Sequence, residues 1–219
     1  MAALLLALFL GGGAGEAQVQ TTAAETGEIR ERVMTLPLKL AEGGLVVEEI
    51  SQYSGEYWEN GVPETVENVA AVLVSNPGRR MIQYAAIQME CGGKRLHFFL
   101  YDLPPGEKCL VMEKEGGAWE GPVRGAEILG IRWCGYDLAP EQVRWVGMNE
   151  TLVVGNSTGR TMENVCLRYK RYDQERGCFL GGISFSVHTA ALEAGQEQVL
   201  TPLHYQAGRW KVIAIVTGA

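Results

Sequence analysis

The feature that most constrains this chain is an internal repeat, because three short blocks occur twice in the same order. The first block is an apolar run followed by Asn and Gly, the second is Leu-x-x-Gly followed by Glu or Gln, and the third is Gly-x-Trp. The paired blocks are residues 73–81 and 152–162, 103–107 and 192–196, and 117–119 and 208–210. A repeat of about 80 to 100 residues indicates duplicated domains rather than the short turns of a solenoid.

The segments around these blocks predict strands. From Leu45 onward, short runs rich in β-branched and aromatic residues alternate with Gly, Pro and Asn turns roughly every ten residues. We therefore expect an all-β fold made of two tandem immunoglobulin-like β-sandwich modules, which follow a signal peptide and a short linker. The linker is expected to contain a short helix near Glu28 to Met34. The predicted boundaries are 1–17 for the signal peptide, 18–44 for the linker, 45–138 for the first module and 139–219 for the second.

The repeated blocks have an expected structural role as turns. Asn and Gly tolerate left-handed backbone angles, so the Asn and Gly of the first block are expected to reverse the chain after a strand. The Leu of the second block is expected to pack inward. The pair Gly92 and Gly93 is expected to close a tight hairpin, because such turns need positive φ angles.

Composition excludes several classes of function. The chain carries a formal net charge of −7, spread without long runs of one sign, which argues against electrostatic binding of nucleic acid. We expect no metal site, because no Cys-x-x-Cys pair is present and Asp102, Asp137 and Asp173 lie far apart in the sequence. We also expect no cofactor.

Five cysteines cannot all pair within one chain, and two interpretations stay open for them. Cys91 with Cys109, and Cys166 with Cys178, are close enough in sequence to form disulfides between neighbouring strands, which an exported protein permits. Alternatively, the cysteines are small buried hydrophobic residues.

The N-terminus predicts export. An uninterrupted apolar stretch from Ala2 to Leu10 is followed by small residues, which is typical of a secretory signal peptide cleaved after Ala17. The predicted location is therefore extracellular or at the cell surface. Because no Lys or Arg precedes the apolar stretch, the alternative is an uncleaved segment that anchors the protein in the membrane.

The second half carries three motifs in a fixed order: Asn156, then residues 169–173 with the sequence Tyr-Lys-Arg-Tyr-Asp, and then the turn at 192–196. In this order the motifs resemble the FxLYD-type modules of secreted bacterial proteins, although the Phe and Leu of that signature are replaced. The whole chain, with residues 53–61 leading into 66–71, is also similar to uncharacterised exported proteins of Gram-positive anaerobes. Both resemblances imply an immunoglobulin-like fold, and neither implies an assigned activity.

The candidate functional surface is the aromatic segment 53–61. Tyr53, Tyr57 and Trp58 stand beside short polar side chains, and such rings can stack on sugars or anchor a protein partner. The alternative is that these aromatic rings cover the bottom of the core.

Catalysis has a weaker basis in the sequence. A small hydrolase would need a nucleophile and a base, and His188 with His204 are the candidates on neighbouring strands of the second half. We therefore expect an exported, non-catalytic binding, adhesive or structural module whose partner is an unknown protein or glycan. The alternatives are the hydrolase and a membrane-tethered accessory subunit of an exported complex.

Overall fold

In a computed structural model of the chain, the described residues are 19–23, 30–34, 38–39, 44–135 and 141–217, the first three ranges by backbone alone. They form strands and turns, which confirms the predicted all-β fold. The signal peptide predicted at 1–17 lies outside the described residues. The strands of the first half are β1 (Val19–Ala23), β2 (Arg30–Met34), β3 (Leu38–Lys39), β4 (Val46–Tyr57), β5 (Glu64–Ser75), β6 (Ile82–Cys91), β7 (Lys94–Leu103), β8 (Lys108–Met112) and β9 (Val123–Trp133).

The strands of the second half are shorter. They are β10 (Val143–Met148), β11 (Thr151–Asn156), β12 (Cys166–Asp173), β13 (Cys178–Leu180), β14 (Phe185–His188), β15 (Glu197–Leu200) and β16 (Trp210–Val216). The predicted module boundary falls between β9 and β10, where residues 136–140 are not described. The short helix expected near Glu28 to Met34 is wrong, because Arg30–Met34 is a strand whose backbone pairs with β1.

The two halves pair their strands by the same plan. In the first half, β4, β5 and β8 form one antiparallel set and β7, β6 and β9 form another. In the second half, β10, β11 and β15 correspond to the first set, and β14, β12 and β16 correspond to the second. The strand pairing thus repeats along with the sequence, and in each half two sets of antiparallel strands face each other as in a β-sandwich.

Alternating side chains give each strand an inner and an outer face. In β7, Leu96, Phe98 and Leu100 are buried, whereas the intervening residues are less buried. The period of two residues follows from the pleat of the strand. Gly92 and Gly93 have φ angles of 55° and 81° and join β6 to β7, which confirms the predicted hairpin.

The halves share a sheet and parts of their cores. Strand β13 pairs with β12 and also, in parallel, with β8, so that an eight-stranded sheet runs from one half into the other. One hydrophobic cluster of the second half includes Tyr57, Trp58 and Met112 from the first. The cluster of the first half includes Phe179 from the second. The halves are therefore packed together through apolar surface.

The repeated Asn occupies the same position in both halves. Asn76 is buried, and its Nδ2 donates to the carbonyl oxygens of Arg80 at 2.8 Å and Leu103 at 3.0 Å. Asn156 is buried in the same way, and its Nδ2 donates to the carbonyl oxygens of Arg160 at 2.7 Å and Leu192 at 3.0 Å. We call these two sites the asparagine junctions.

The expected reason for the Asn was wrong. Asn76 and Asn156 are not among the described residues with positive φ, and neither are Gly78 and Gly159. The Asn instead acts through its side chain, which closes the following turn and ties it to the Leu of the second block. The predicted inward Leu is confirmed, since Leu103 and Leu192 are fully buried.

Candidate functional site

A cavity of about 340 Å³ lies where the two halves meet. Its volume is at the lower end of the range of small-molecule pockets. Most of its lining comes from β7, β8 and the turns after β4 and β8, and the rest comes from the segment between β13 and β14. The lining residues are Glu59, Phe99, Tyr101, Met112, Lys114, Ile183 and Ser184.

The carboxylate of Glu59 is the acidic group of the cavity. Its Oε1 accepts hydrogen bonds from the backbone N–H of Met112 at 2.9 Å and of Gly182 at 2.8 Å. Burial raises the pKa of Glu59 to about 7, although these N–H donors and the Lys170 ammonium act in the opposite direction. Near neutral pH the group therefore exists in both protonation states, and it can accept or donate a hydrogen bond.

Lys170 binds the carbonyl oxygen of Gly182, the same residue whose N–H binds Glu59. Its side chain is fully buried, and its Nζ donates to the carbonyl oxygens of Tyr101 at 3.0 Å, Gly182 at 2.6 Å and Ile183 at 2.9 Å. All three ammonium protons thus have an acceptor. Because Gly182 donates to Glu59 and accepts from Lys170, this one residue links the partly buried carboxyl group with the buried ammonium group.

Gly182 is at a place where no side chain fits. A Cβ built on it would lie 1.7 Å from the carbonyl oxygen of Phe99 and 2.9 Å from Oε2 of Glu59. The backbone N–H of Tyr101 donates to the Gly182 carbonyl oxygen at 2.7 Å. Glycine therefore permits the close approach of β7 to the segment that follows β13.

Aromatic rings form one wall of the cavity. Phe99 and Tyr101 alternate along β7 and point away from its buried face. Tyr84 of β6 stacks against Phe99 at a centroid distance of 6.4 Å and tilts against Tyr101 at 5.2 Å. The ammonium of Lys114 lies 5.0 Å from the centre of the Phe99 ring. Since Tyr101 is 38% exposed, part of this wall is open to solvent.

A second charged contact joins the halves beside the cavity. Asp102 is buried and has a φ of 50°, which turns its side chain toward the second half. Its Oδ1 accepts from the Arg168 guanidinium at 2.7 Å, and its Oδ2 accepts from the Ser184 hydroxyl at 2.5 Å. Ser184, which also lines the cavity, is thus held in place by a carboxylate from the other half.

The predicted aromatic site lies in the core. Tyr53, Tyr57 and Trp58 have exposed fractions of 6%, 2% and 7%. The Tyr57 hydroxyl lies 2.6 Å from the carbonyl oxygen of Lys114, and the Trp58 ring packs edge-on against Trp210 at 5.0 Å. This placement matches the alternative that the rings cover the core, and the binding role of the three residues stays a prediction.

Sequence reasoning named Glu59 only as one of many glutamates from which a carboxylate pair for glycoside cleavage could come, with an exposed strand or loop glutamate as the alternative. Glu59 belongs to the segment 53–61 that the sequence singles out, one position after Trp58. The aromatic residues mark this segment as a candidate binding surface. Nothing in the sequence indicates that Glu59 contacts Gly182, which is 123 positions away.

The two histidines have different surroundings. The ring of His204 packs against Trp58 at 5.4 Å and Phe185 at 5.6 Å. His188 is exposed on β14, where it pairs with Cys166 of β12.

Three of the five cysteines follow the second interpretation. Cys91, Cys109 and Cys178 are buried thiols, and Cys166 is a thiol of intermediate exposure. Cys91 lies on β6 and Cys109 on β8, in different sets of strands. Burial raises the pKa of the Cys109 thiol to about 12, so it stays protonated at neutral pH.

Two further findings concern metals and membranes. Within the described ranges, no three His, Cys, Asp or Glu side chains come together as metal ligands would. The part of the chain that the structure describes also contains no helix with the length and apolar character of a membrane span.

Comparison of the chain with protein families, with curated proteins and with solved structures gave no match. The described residues form an all-β, sandwich-like fold whose two halves meet at a cavity with an acidic and an aromatic side.

Proposed function

We propose that this chain is an exported, non-catalytic binding module and that it holds a glycan in the cavity between its halves. The observation that carries the proposal is the combination of Glu59, with its pKa near 7, and the Phe99 and Tyr101 rings in one cavity. A sugar presents apolar C–H faces and hydroxyl groups, which fit an aromatic wall and a carboxylate respectively.

We further infer that the two halves are tandem immunoglobulin-like modules. The pairing of β4 with β5 and β8, opposite β7, β6 and β9, corresponds to the A-B-E and C′-C-F strands of such folds. The same plan in the second half and the two asparagine junctions support duplication. The shared sheet would hold the modules in one relative orientation and so preserve the cavity.

Binding has more support than catalysis. Both oxygens of Glu59 accept a backbone hydrogen bond, and Asp102 is held by Arg168 and Ser184, so the protein itself fixes each carboxylate and the two do not face each other as a paired general acid and base. The hydrolase alternative would need His188 and His204, of which His204 packs against aromatic rings.

The glycan proposal is tested by titrating the folded chain with a panel of neutral and acidic oligosaccharides, followed by calorimetry or NMR. Replacing Tyr101 with Ala removes a stacking surface and should weaken binding about tenfold or more. The matched control is Leu129→Ala, which truncates an exposed side chain in the same set of strands and should bind as the unmodified chain does.

Two outcomes would contradict the proposal. If no oligosaccharide of the panel binds at millimolar concentration, the cavity is not a glycan site. If an oligosaccharide is cleaved, and cleavage is lost in Glu59→Gln, the chain is an enzyme.

Export is tested by mass spectrometry of the protein recovered from the source cells. A product in the medium that begins at Gln18 would support cleavage after Ala17. Residues 1–17 retained in a membrane fraction would instead support the tethered accessory subunit.

A further inference from the structure

The outer face of the strand set β10, β11 and β15 carries an exposed apolar row. Val146, Val153 and Val199 are direct register partners on the three neighbouring strands. Val146 is 58% exposed and Val199 is 64% exposed. Met148, two residues beyond Val146 on the same face, is 53% exposed. Isolated exposed apolar residues are ordinary, whereas a contiguous row across three strands indicates a contact surface.

The neighbouring row on this face carries two opposite charges. Arg144 and Glu197 are the register partners of Gly155 on either side. A Cβ built on Gly155 would lie 3.3 Å from Cγ of Glu197, so the Glu197 side chain lies over this face. The face therefore has a basic edge on β10 and an acidic edge on β15, with the apolar row beside them.

The corresponding face of the first half is occupied. The asparagine junctions and the strand registers align Leu73 with Val153 and Leu110 with Val199. In the first half, Leu110 belongs to the hydrophobic cluster of the second half, and Leu73 packs against that cluster. The second half thus covers this face of the first, while the equivalent face of the second half stays exposed.

We propose that the outer face of β10, β11 and β15 binds the same face of a second copy of this chain, through a twofold axis parallel to β11. This axis places Val146 opposite Val199 of the second copy and Val153 opposite its counterpart. It also places Arg144 opposite Glu197 of the second copy, and the twofold symmetry makes that ion pair twice.

Charge complementarity selects this axis. A twofold axis perpendicular to the strands and passing through the apolar row would set Arg144 against Met148 and would leave both charges without a partner. The axis along β11 pairs apolar with apolar residues in the valine row and basic with acidic residues in the neighbouring row. Charges arranged in this way fix the register of an interface.

The face is small, so the dimer should be weak. Three strands of about five residues cover on the order of 300 Å², given strand spacings near 4.8 Å. Stable complexes bury about 800 Å² per partner. We therefore expect a dimer that forms at high micromolar to millimolar concentration. A high local concentration of the protein at a cell surface would favour such a weak dimer.

Sedimentation velocity over a concentration series up to about 1 mM tests the proposal at the concentrations expected for so small an interface. The chain should shift from monomer to dimer, and Val146→Asp should raise the dissociation constant at least tenfold. Leu129→Asp is the matched control, since Leu129 is 53% exposed on β9 and should leave dimerisation unchanged.

A mixing experiment tests the axis itself. Arg144→Glu alone and Glu197→Arg alone should each be monomeric, because each homodimer would contain two repulsive pairs. Their mixture should dimerise again, because both cross pairs are then attractive. Circular dichroism of each variant confirms folding, and Arg95→Glu, on an exposed site of β7, is the control for charge reversal.

Three results would overturn the proposal. These are a chain that stays monomeric at the highest concentration, an assembly that grows beyond a dimer, and a mixture of the two charge variants that stays monomeric although both are folded.

Discussion

The two halves of this chain share a plan and differ where the cavity forms. In the first half, β7 runs without interruption from Lys94 to Leu103. Its counterpart in the second half is broken into β13 and β14, with Gly181 and Gly182 in the gap. The gap brings Gly182 between Glu59 and Lys170, with its N–H bound to Glu59 and its carbonyl oxygen bound to Lys170. The comparison teaches that the shared strand plan builds the sandwich, whereas the interruption in the second half creates the polar site.

The substitution with the largest expected effect on stability adds a methyl group in the gap between β13 and β14. Gly182→Ala puts a Cβ against the Phe99 carbonyl oxygen and should lower the free energy of unfolding by more than about 3 kcal/mol. Denaturant unfolding followed by circular dichroism measures the change.

The control for this substitution is Gly130→Ala in β9, where the nearest atom to a new Cβ is a Tyr84 ring carbon at 3.9 Å. Its expected effect is within about 1 kcal/mol. Equal stabilities of the two variants would show that the backbone of β7 does not lie against Gly182.

The next test compares the asparagine junctions. Asn76→Ala and Asn156→Ala each remove buried hydrogen bonds to backbone carbonyl oxygens and should each cost about 2 to 4 kcal/mol. Thermal and denaturant unfolding of the two variants give the values.

The two costs should agree to within about 1 kcal/mol, the precision with which such contributions transfer between sites. If one substitution lowers the free energy of unfolding strongly and the other leaves it unchanged, the two asparagine junctions are not equivalent. Asn60→Ala, in an exposed turn, is the control for removal of an Asn side chain.

The third test concerns Glu59, and its effect depends on pH. The folded chain keeps a proton at Glu59 up to a pKa of about 7, whereas the unfolded chain releases it near the ordinary value of 4.5. The folded state therefore binds more protons between these values, and the free energy of unfolding falls as the pH rises through this window. Each unit of pKa difference corresponds to about 1.4 kcal/mol.

Glu59→Gln should remove this fall, because the amide does not ionise. The measured quantity is the difference in unfolding free energy between the unmodified chain and the variant at pH 5, 6, 7 and 8. Glu64→Gln, at an exposed position, should leave the pH dependence unchanged. A difference for Glu59→Gln that does not vary with pH would show that the carboxyl is not shifted upward.

Much of the fold could be predicted from local pattern. The period-two alternation of β7, the glycine pair before it and the inward Leu of the second block each depend on residues close in sequence. The role of Asn76 was predicted at the correct place for a wrong reason, since its hydrogen bonds reach Leu103, 27 positions away. Backbone propensity is visible in a sequence, whereas the partner of a side-chain amide is not.

By itself, the sequence determined that this chain forms strands, that its turns recur and that its charge disfavours nucleic acid. Only the tertiary structure decided which faces are buried between the halves. Trp58 lies in the core and Glu59 lines a cavity, although the two residues are adjacent in sequence. The physical reason is that alternation along a strand fixes two faces locally, while the choice of what covers each face depends on chain segments more than a hundred residues apart.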